Sequence, residues 1–321
     1  MLALEDLVQP LDEHNRRLVS HVHPEDWQNP QPRSRYDLVV IGGGTAGLVS
    51  AAGAAGLGAR VALVERHLLG GDCLNTGCVP SKALIAASRA WHVVRNGEEM
   101  GAAPPIGTGD FTRVMERMRR LRADIAEHDG AARFQQLGVD VFLGNARFTG
   151  SDVIEVDGSR LAFKRAVIAT GARAAVPPIA GLADAGYLTN ETVFNLTARP
   201  RRLLVVGGGP LGCELAQAFC RLGCAVTIAS HEPYFLPGEE RDAADILAHA
   251  LRRDGIDVRL NTDVKSVVCE GGEKRARLVN YDQDVTVAVD EILAGAGRVP
   301  HVEGLNLEAA GVDYDPRQGV R

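Results

Sequence analysis

Two cysteines with four residues between them, Cys73 and Cys78, stand in the segment 70-GGDCLNTGCVPSKALI-85. Thiols at this spacing can hold a metal, pack as inert small side chains, or cycle between dithiol and disulfide. A zinc site needs two further ligands, and no other Cys or His stands near at ligand spacing. The flanking Gly, Asn, Pro and Ser favour turns over a packed core. A redox dithiol fits these flanks best. Pro80 suits the first turn of a helix, and a helix N-terminus favours a thiolate at Cys78. The sulfurs meet only if the chain curls locally, which Gly77 permits.

Upstream, the apolar run 36-YDLVVI-41 leads into Gly42-x-Gly44-x-x-Gly47. An Ala-rich helix to about Leu57 and a second strand, Arg60–Glu65, follow. Such glycines permit a tight turn and a close approach of backbone to a pyrophosphate, which then faces the helix N-terminus. Glu65 stands where a carboxylate would accept hydrogen bonds from an adenosine ribose. The same pattern recurs in 202-RLLVVGGGPLGCELAQAFCRLGCAVTIAS-230, which aligns Gly207, Gly209 and Gly212 with the first three glycines. Two β-α-β units of one design predict two dinucleotide-binding folds. In the second, Ser230 replaces the acid and His231 follows. Loss of the carboxylate removes the repulsion against a 2′-phosphate, so NADPH is mildly favoured over NADH, with His231 as a candidate phosphate contact.

The elements that must position these groups read as an α/β chain. A helical stretch follows Pro80, and Thr112–Leu137 is long, charged and amphipathic. Residues 139–170 read as β-rich, with turn signals at Thr149–Asp152 and Asp157–Ser159. Pro177-Pro178 and Gly181–Gly186 read as a linker, residues 257–289 alternate like strands again, and 292-ILAGAGRVP-300 returns to a buried strand and turn. Residues 1–34 are polar and read as an arm, with Leu4, Leu7, Val8 and Leu11 able to line one face of a short helix. Cys213, Cys220, Cys224 and Cys269 read as buried small hydrophobes. Of 321 residues, 35 are Lys or Arg and 41 Asp or Glu, a net charge of −6 that argues against nucleic-acid and anionic-membrane partners. Six cysteines are too few for a disulfide scaffold of this length. No apolar run reaches the ~18 residues that span a bilayer. The first residues lack the pattern of a secretory signal, so a cytoplasmic location is expected.

The cysteine segment resembles the active-site signature of the class I pyridine nucleotide–disulfide oxidoreductases, flavoproteins that include dihydrolipoamide dehydrogenase, glutathione reductase and mercuric reductase. The resemblance extends over residues 36–321. It implies an α/β architecture of two Rossmann-like domains: a first part of an FAD domain over 35–175, an inserted NAD(P) domain over 176–292, and a return to the FAD domain over 293–321. By matching positions, Cys73 would be the outer interchange thiol and Cys78 the inner thiol against the flavin. Lys82 matches the lysine near flavin N5, and Glu214 its ion-pair partner. Gly71 and Asp72 fall in the FAD phosphate region, where Asp72 replaces the usual Thr. Ala146 of 144-GNARF-148 is a candidate adenine contact. Thr170 and Gly171 belong to the family's ATG segment, and Gly297 and Arg298 to its AxGRxP segment near the nicotinamide cofactor, where His301 replaces Asn.

The implied cofactors are FAD and NADPH or NADH, and no resident metal. The implied acceptor is a small-molecule disulfide, a protein-bound lipoyl group or a metal ion. Mercuric ion is one candidate, because 214-ELAQAFCRLG-223 resembles mercuric reductases, although their cysteine-containing head and C-terminal cysteine pair are not found in these residues. Full-length relatives homodimerise through a C-terminal domain, which also supplies a His–Glu pair to the partner's disulfide. That domain has no counterpart here, so a catalytically crippled binding fragment stands as the alternative.

Overall fold

The computed structural model describes residues 8–101, 109–281 and 283–321. The chain divides into two compact units. The first holds the described residues up to Pro80 together with Met118–Arg173 and Arg298–Arg321. The second holds Ser81–Arg117 and Ala174–Gly297. These limits differ from the sequence expectation at three places, one being Ala174 and Ala175, which belong to the second unit. Residues 81–117 cluster with the second unit, and residues 293–297 stay in it because a strand runs on from Glu291 to Ala294.

In the first unit, helix α1 (Glu13–Val22) precedes strand β1 (Tyr36–Ile41), helix α2 (Thr45–Gly56) and strand β2 (Val61–Glu65). A five-residue helix α3 (Gly71–Asn75) and helix α4, which starts at Cys78 and ends at Arg95, carry the cysteines. The long amphipathic segment forms α5 (Phe111–Asp129) and α6 (Ala131–Gln136), interrupted at Gly130. Strands β3 (Val139–Leu143), β4 (Ala146–Gly150), β5 (Val153–Val156) and β6 (Ser159–Ile168) complete one sheet of order β3-β2-β1-β6-β5-β4. The first four of these positions pair in parallel, while β4 and β5 form antiparallel hairpins on β6.

Alternation along β1 and β2 splits the apolar side chains between two faces. Val40, Val61 and Leu63 join one core cluster with Leu48 and Ala51 of α2. Val39, Ile41, Ala62 and Val64 join another with Phe148, Val302 and Leu305.

The N-terminal arm is docked. Asp12 caps α1 by accepting from the Asn15 backbone N–H at 2.9 Å. Leu18, Val19 and Val22 pack in the same core cluster as Leu69, Leu74 and Ala126. Of the expected apolar face, Leu4 and Leu7 lie outside the described residues; Val8 is buried and Leu11 packs against the cluster.

The second unit repeats the motif with β7 (Arg202–Val206), α8 (Pro210–Arg221) and β8 (Ala225–Ala229), once a short helix α7 (Leu182–Ala185) has been passed. Residues 181–186 are therefore packed and not a free linker: Leu182 is buried, and the Val267 N–H donates to the Ala180 carbonyl at 2.8 Å. Helix α9 (Arg241–Arg253) leads to β9 (Asp257–Arg259) and a three-stranded antiparallel sheet of β10 (Asp263–Glu270), β11 (Glu273–Asn280) and β12 (Gln283–Val289). Strand β13 (Glu291–Ala294) closes the parallel sheet β9-β8-β7-β13. Cys213 and Cys224 are buried, but Cys269 is exposed and Cys220 only partly covered, so the expectation of four buried thiols holds for two. Among the described residues, no helix is long and apolar enough to cross a membrane.

The docked arm makes a stability prediction. Leu18 is 0% exposed, so Leu18→Ala should cost about 2–5 kcal/mol in urea unfolding. Leu57→Ala, at a residue 92% exposed, should stay within about 0.5 kcal/mol of the parent. Equal effects of the two changes would show that α1 is not part of the cooperative core.

Candidate functional site

The first glycine fingerprint sits where β1 ends and the strand order changes direction, the usual ligand address of an open α/β sheet. Gly42 takes φ +103°, and a Cβ there would collide with the Ala169 carbonyl. A Cβ on Gly47 would land on the Gly42 carbonyl oxygen, so side chains at these positions would push α2 off the sheet. Gly44 is the N-cap of α2, with no side-chain cap and no acid in the first turn. The exposed N–H groups of that turn are thus open to an anion.

A cavity of about 120 Å³, partly open to solvent, lies beside this turn. Gly42, Glu65, Ala146 and Thr170 line it, four residues that the sequence assigns to the cofactor. Glu65 is buried, and its two oxygens accept from the Gly43 N–H at 2.6 Å and the His67 N–H at 2.7 Å. Burial pushes its carboxyl pKa up, against the pull of those N–H donors and of Arg66. Each carboxylate oxygen keeps a further lone pair for a ligand hydroxyl. The polar lining and the uncapped helix suit the adenosine and pyrophosphate of FAD.

Sequence reading left Arg66, Asn145 and Glu303 of this lining unassigned and noted His301 only as a departure. His301 is held by its own backbone, donating to the Gly171 carbonyl at 2.9 Å and accepting from Thr170 Oγ1 at 2.6 Å. Its Nδ1 lies 3.2 Å from the Arg66 guanidinium, and burial followed by Arg66 lowers the imidazole pKa. No local motif announces Glu303; it reaches the pocket because residues 298–321 fold back onto the first unit.

Gly71 places its backbone against Gly44, with room for no Cβ: one would lie 2.6 Å from Gly44 Cα. Asp72 is ion-paired with Arg298, which also donates to the Ala172 carbonyl at 2.6 Å. Arg298 thus lies in the first unit and neutralises the acid that stands in place of the usual Thr, while Gly297, at φ +106°, is the last residue of the second.

The cysteines are brought together. Cys73 lies in α3 and Cys78 is the first residue of α4, two residues earlier than the helix start expected near Pro80. The Cys73 thiol is hydrogen-bonded to Cys78 and to Thr45, and its pKa is pushed up to about 11, by burial first and then by Cys78. Gly77 is needed for close approach and not for a left-handed φ, since a Cβ there would lie 2.8 Å from the Asp72 carbonyl oxygen. Among the described residues no three Cys, His, Asp or Glu side chains converge as a metal site.

In the second unit, Gly207 takes φ +104°, and a Cβ there would lie 2.6 Å from the Gly295 carbonyl oxygen. One on Gly212 would lie 2.7 Å from the Gly207 carbonyl oxygen. Gly209 caps α8 without a side-chain bond, as Gly44 does for α2. Ser230 is buried at the end of β8, where its Oγ accepts from the Glu232 N–H at 3.4 Å. His231 is exposed, but its Nε2 lies 3.1 Å from the Glu232 carboxylate. An acid therefore stands two residues beyond the expected position, and it competes with a phosphate for His231. Lys82 and Glu214, separated by 132 positions, form an ion pair at 2.8 Å within this unit.

Comparison with known proteins agrees with this geometry. The family described as pyridine nucleotide-disulphide oxidoreductase matches residues 36–321. A mercuric reductase of Lysinibacillus sphaericus is 31% identical over 315 residues, 97% of this chain and 58% of the relative. A glutathione reductase of Burkholderia cepacia is 32% identical over 89% of this chain and 62% of its own length. A solved structure of RclA, a HOCl-induced flavoprotein disulfide reductase from Escherichia coli in complex with Cu(II), superposes with a TM-score of 0.77. It is 30% identical, and the match covers 88% of this chain and 61% of that one. The chain spans about three-fifths of the length of these three relatives. Members of the family use FAD and NAD(P)H. By the match of its residues 36–321, this chain belongs to the pyridine nucleotide-disulphide oxidoreductase family.

Proposed function

We propose that this chain carries the dinucleotide sites and the redox dithiol of an NAD(P)H-dependent flavoprotein reductase that delivers electrons to a thiol-reactive acceptor. The observation that carries this reading is the hydrogen bond between the Cys73 and Cys78 thiols, in the unit that also holds the uncapped fingerprint helix and its pocket. FAD, when bound, supplies the two-electron relay between nicotinamide and the cysteine pair. Gly42, Gly44 and Gly47 offer backbone to its pyrophosphate, Glu65 and Ala146 line its adenosine end, and Gly71, Thr170 and Gly171 shape the approach. Asp72, neutralised by Arg298, does not repel the phosphates as a free carboxylate would. Lys82, held by Glu214, is the cation assigned to charge that builds up on reduction. Gly207, Gly209 and Gly212 serve NAD(P)H in the same way, with Ser230 and His231 at its ribose.

Reduction of a Cys73–Cys78 disulfide takes two electrons and two protons and yields two thiols. Passing them to an external disulfide gives two product thiols and restores the pair; passing them to mercuric ion gives the metal atom and releases the two protons. With its pKa near 11, Cys73 is protonated at neutral pH and needs a base before it attacks. The family resemblance assigns that base to a His–Glu pair of a dimerisation domain. The acceptor class is a disulfide, a lipoyl group or a thiophilic metal ion, with mercuric ion favoured by a relative of that name matching 97% of the chain.

Three outcomes test this reading. After reconstitution with FAD, rapid mixing with NADPH should bleach the flavin absorbance. Steady-state disulfide reduction should lag that of the same chain fused to a family C-terminal domain by about 10²–10⁴-fold. Absence of flavin reduction would sink the proposal, and full turnover by the chain alone would place a proton donor within it. In the reduced chain, alkylation of Cys73 by iodoacetamide should rise steadily through pH 9–10 towards about 11, and Cys78→Ser should move that profile down. A plateau below pH 8 contradicts the assigned environment. For the coenzyme, Ser230 and Glu232 together predict a small margin: NADPH binds at least as tightly as NADH, by less than about tenfold, or 1.4 kcal/mol. Ser230→Glu should tip the preference to NADH. A parent that already binds NADH more than tenfold tighter refutes the assignment at this strand end.

A further inference from the structure

Between the two cysteines, Asn75 ties the loop to a buried polar cluster outside the cofactor residues. Its side-chain N–H groups donate to the Leu69 carbonyl at 3.0 Å and the Gly71 carbonyl at 2.9 Å. Its own carbonyl accepts from Arg122 Nη1 at 2.6 Å. Arg122, on α5, is 1% exposed, and its other terminal nitrogen donates to Asn15 Oδ1 of α1 at 2.7 Å. Asn15 is itself 0% exposed and donates to the Pro10 carbonyl at 2.7 Å. One turn earlier on α5, Arg119 donates to Asp12, the cap of α1, at 2.5 Å.

Such a cluster is an unusual way to fill a core. A buried guanidinium is costly unless its donors are paired. Here Arg122 Nε, Arg119 Nη1 and Asn75 Oδ1 are buried without a hydrogen-bond partner. Burial, and then the Arg119 charge, lower the Arg122 pKa to about 10, with Asp12 opposing. Two arginines thus have one carboxylate, Asp12, between the N-terminal helix and the redox loop. An apolar residue at 122 would avoid that cost, so what the arginine adds is directional: a strut with one end on Asn15 and the other on the loop carbonyl. Further bonds fix the α1 end, including Arg17 to the Arg120 carbonyl at 3.3 Å and the Leu69 N–H to the Val22 carbonyl at 3.1 Å.

We propose that Arg122 is a positioning residue for the Cys73–Cys78 pair, braced by Asn15 of the N-terminal helix, and that it sets the ease with which the disulfide closes. The inference rests on the redox reading of the pair. Closing a disulfide needs Cβ atoms about 3.8 Å apart with a fixed torsion, so a loop held near that geometry closes at lower entropic cost than a free one. A bond to the backbone of the residue midway between the sulfurs, on an element that cannot move independently of α1 and α5, restrains the span they must cross.

The test is the equilibrium of the full chain with glutathione: the dithiol gives two electrons and two protons to one glutathione disulfide, yielding the Cys73–Cys78 bond and two glutathione thiols. Peptide mapping after acid quench reads the fraction closed. Arg122→Met should move the equilibrium at least tenfold towards the dithiol. Arg122→Lys, which keeps one donor for the Asn75 carbonyl, should stay within about threefold of the parent, and Asn15→Ala should fall between. A role confined to stability would lower Tm in these variants and leave the thiol equilibrium where it was, and that result overturns the proposal. If Arg122→Met does not fold, Asn15→Ala carries the same criterion, since it removes the brace but keeps Arg122 on the loop. Failure of the parent chain to form the disulfide at all would instead overturn the redox reading beneath it.

Discussion

At the β1–α2 turn, backbone packs directly on backbone, and most of the first unit follows from that contact. With no Cβ on Gly47, α2 closes down until its first turn touches the Gly42 carbonyl. That closeness seats Leu48 and Ala51 on Val40, and it brings the Gly43 N–H within reach of the buried Glu65 carboxylate. It also leaves the first N–H groups of α2 without a side-chain cap, close to Gly42, which lines the pocket. A stability device and a binding device are the same arrangement here. The second unit uses it again at Gly207 and Gly212, with the carbonyl of Gly295 taking the place of Ala169.

Electrostatics then distinguish the two copies. In the first, the strand ends in a buried acid that accepts two backbone N–H groups. In the second, a buried serine stands at that point, and the nearest acid is displaced to Glu232, beside His231. Asp72 shows a similar balance at short range. A carboxylate next to an anion-binding turn is unfavourable alone, and Arg298 offsets it from 226 positions away. Arg122 is the extreme case, since its charge is buried where only Asp12 and neutral carbonyls compensate it.

What could be read from the sequence was what repeats or what is local. The strands and helices around both fingerprints follow from apolar runs and glycine spacing, and they lie within a residue or so of their expected limits. The cysteine pair was visible because two thiols in a turn-rich segment carry a chemical reason to be there. Lys82–Glu214 came from family resemblance, not from any spacing rule, because no pattern links positions 132 apart. The pairings of Asp72 with Arg298 and of Arg122 with Asn15 and Asn75 were not legible, since each joins polar residues from segments that look solvent-facing. The unit boundaries differ from the expected limits for a related reason: only contacts formed on folding assign the described residues of 81–117 to the second unit. The docked arm stood only as the alternative to a surface arm, because the four positions expected to form its face are too few to outweigh its polar composition.

The proposed function requires the first fingerprint and its pocket to hold FAD, next to the dithiol. Hydrogen exchange of the full chain with and without saturating FAD tests this most directly. Protection should concentrate at Gly42–Gly47, at the backbone around Glu65 and Ala146, and at His301–Leu305, with residues 207–212 unchanged. Protection centred on 207–212, or none at any flavin concentration that saturates a fluorescence titration, would contradict it.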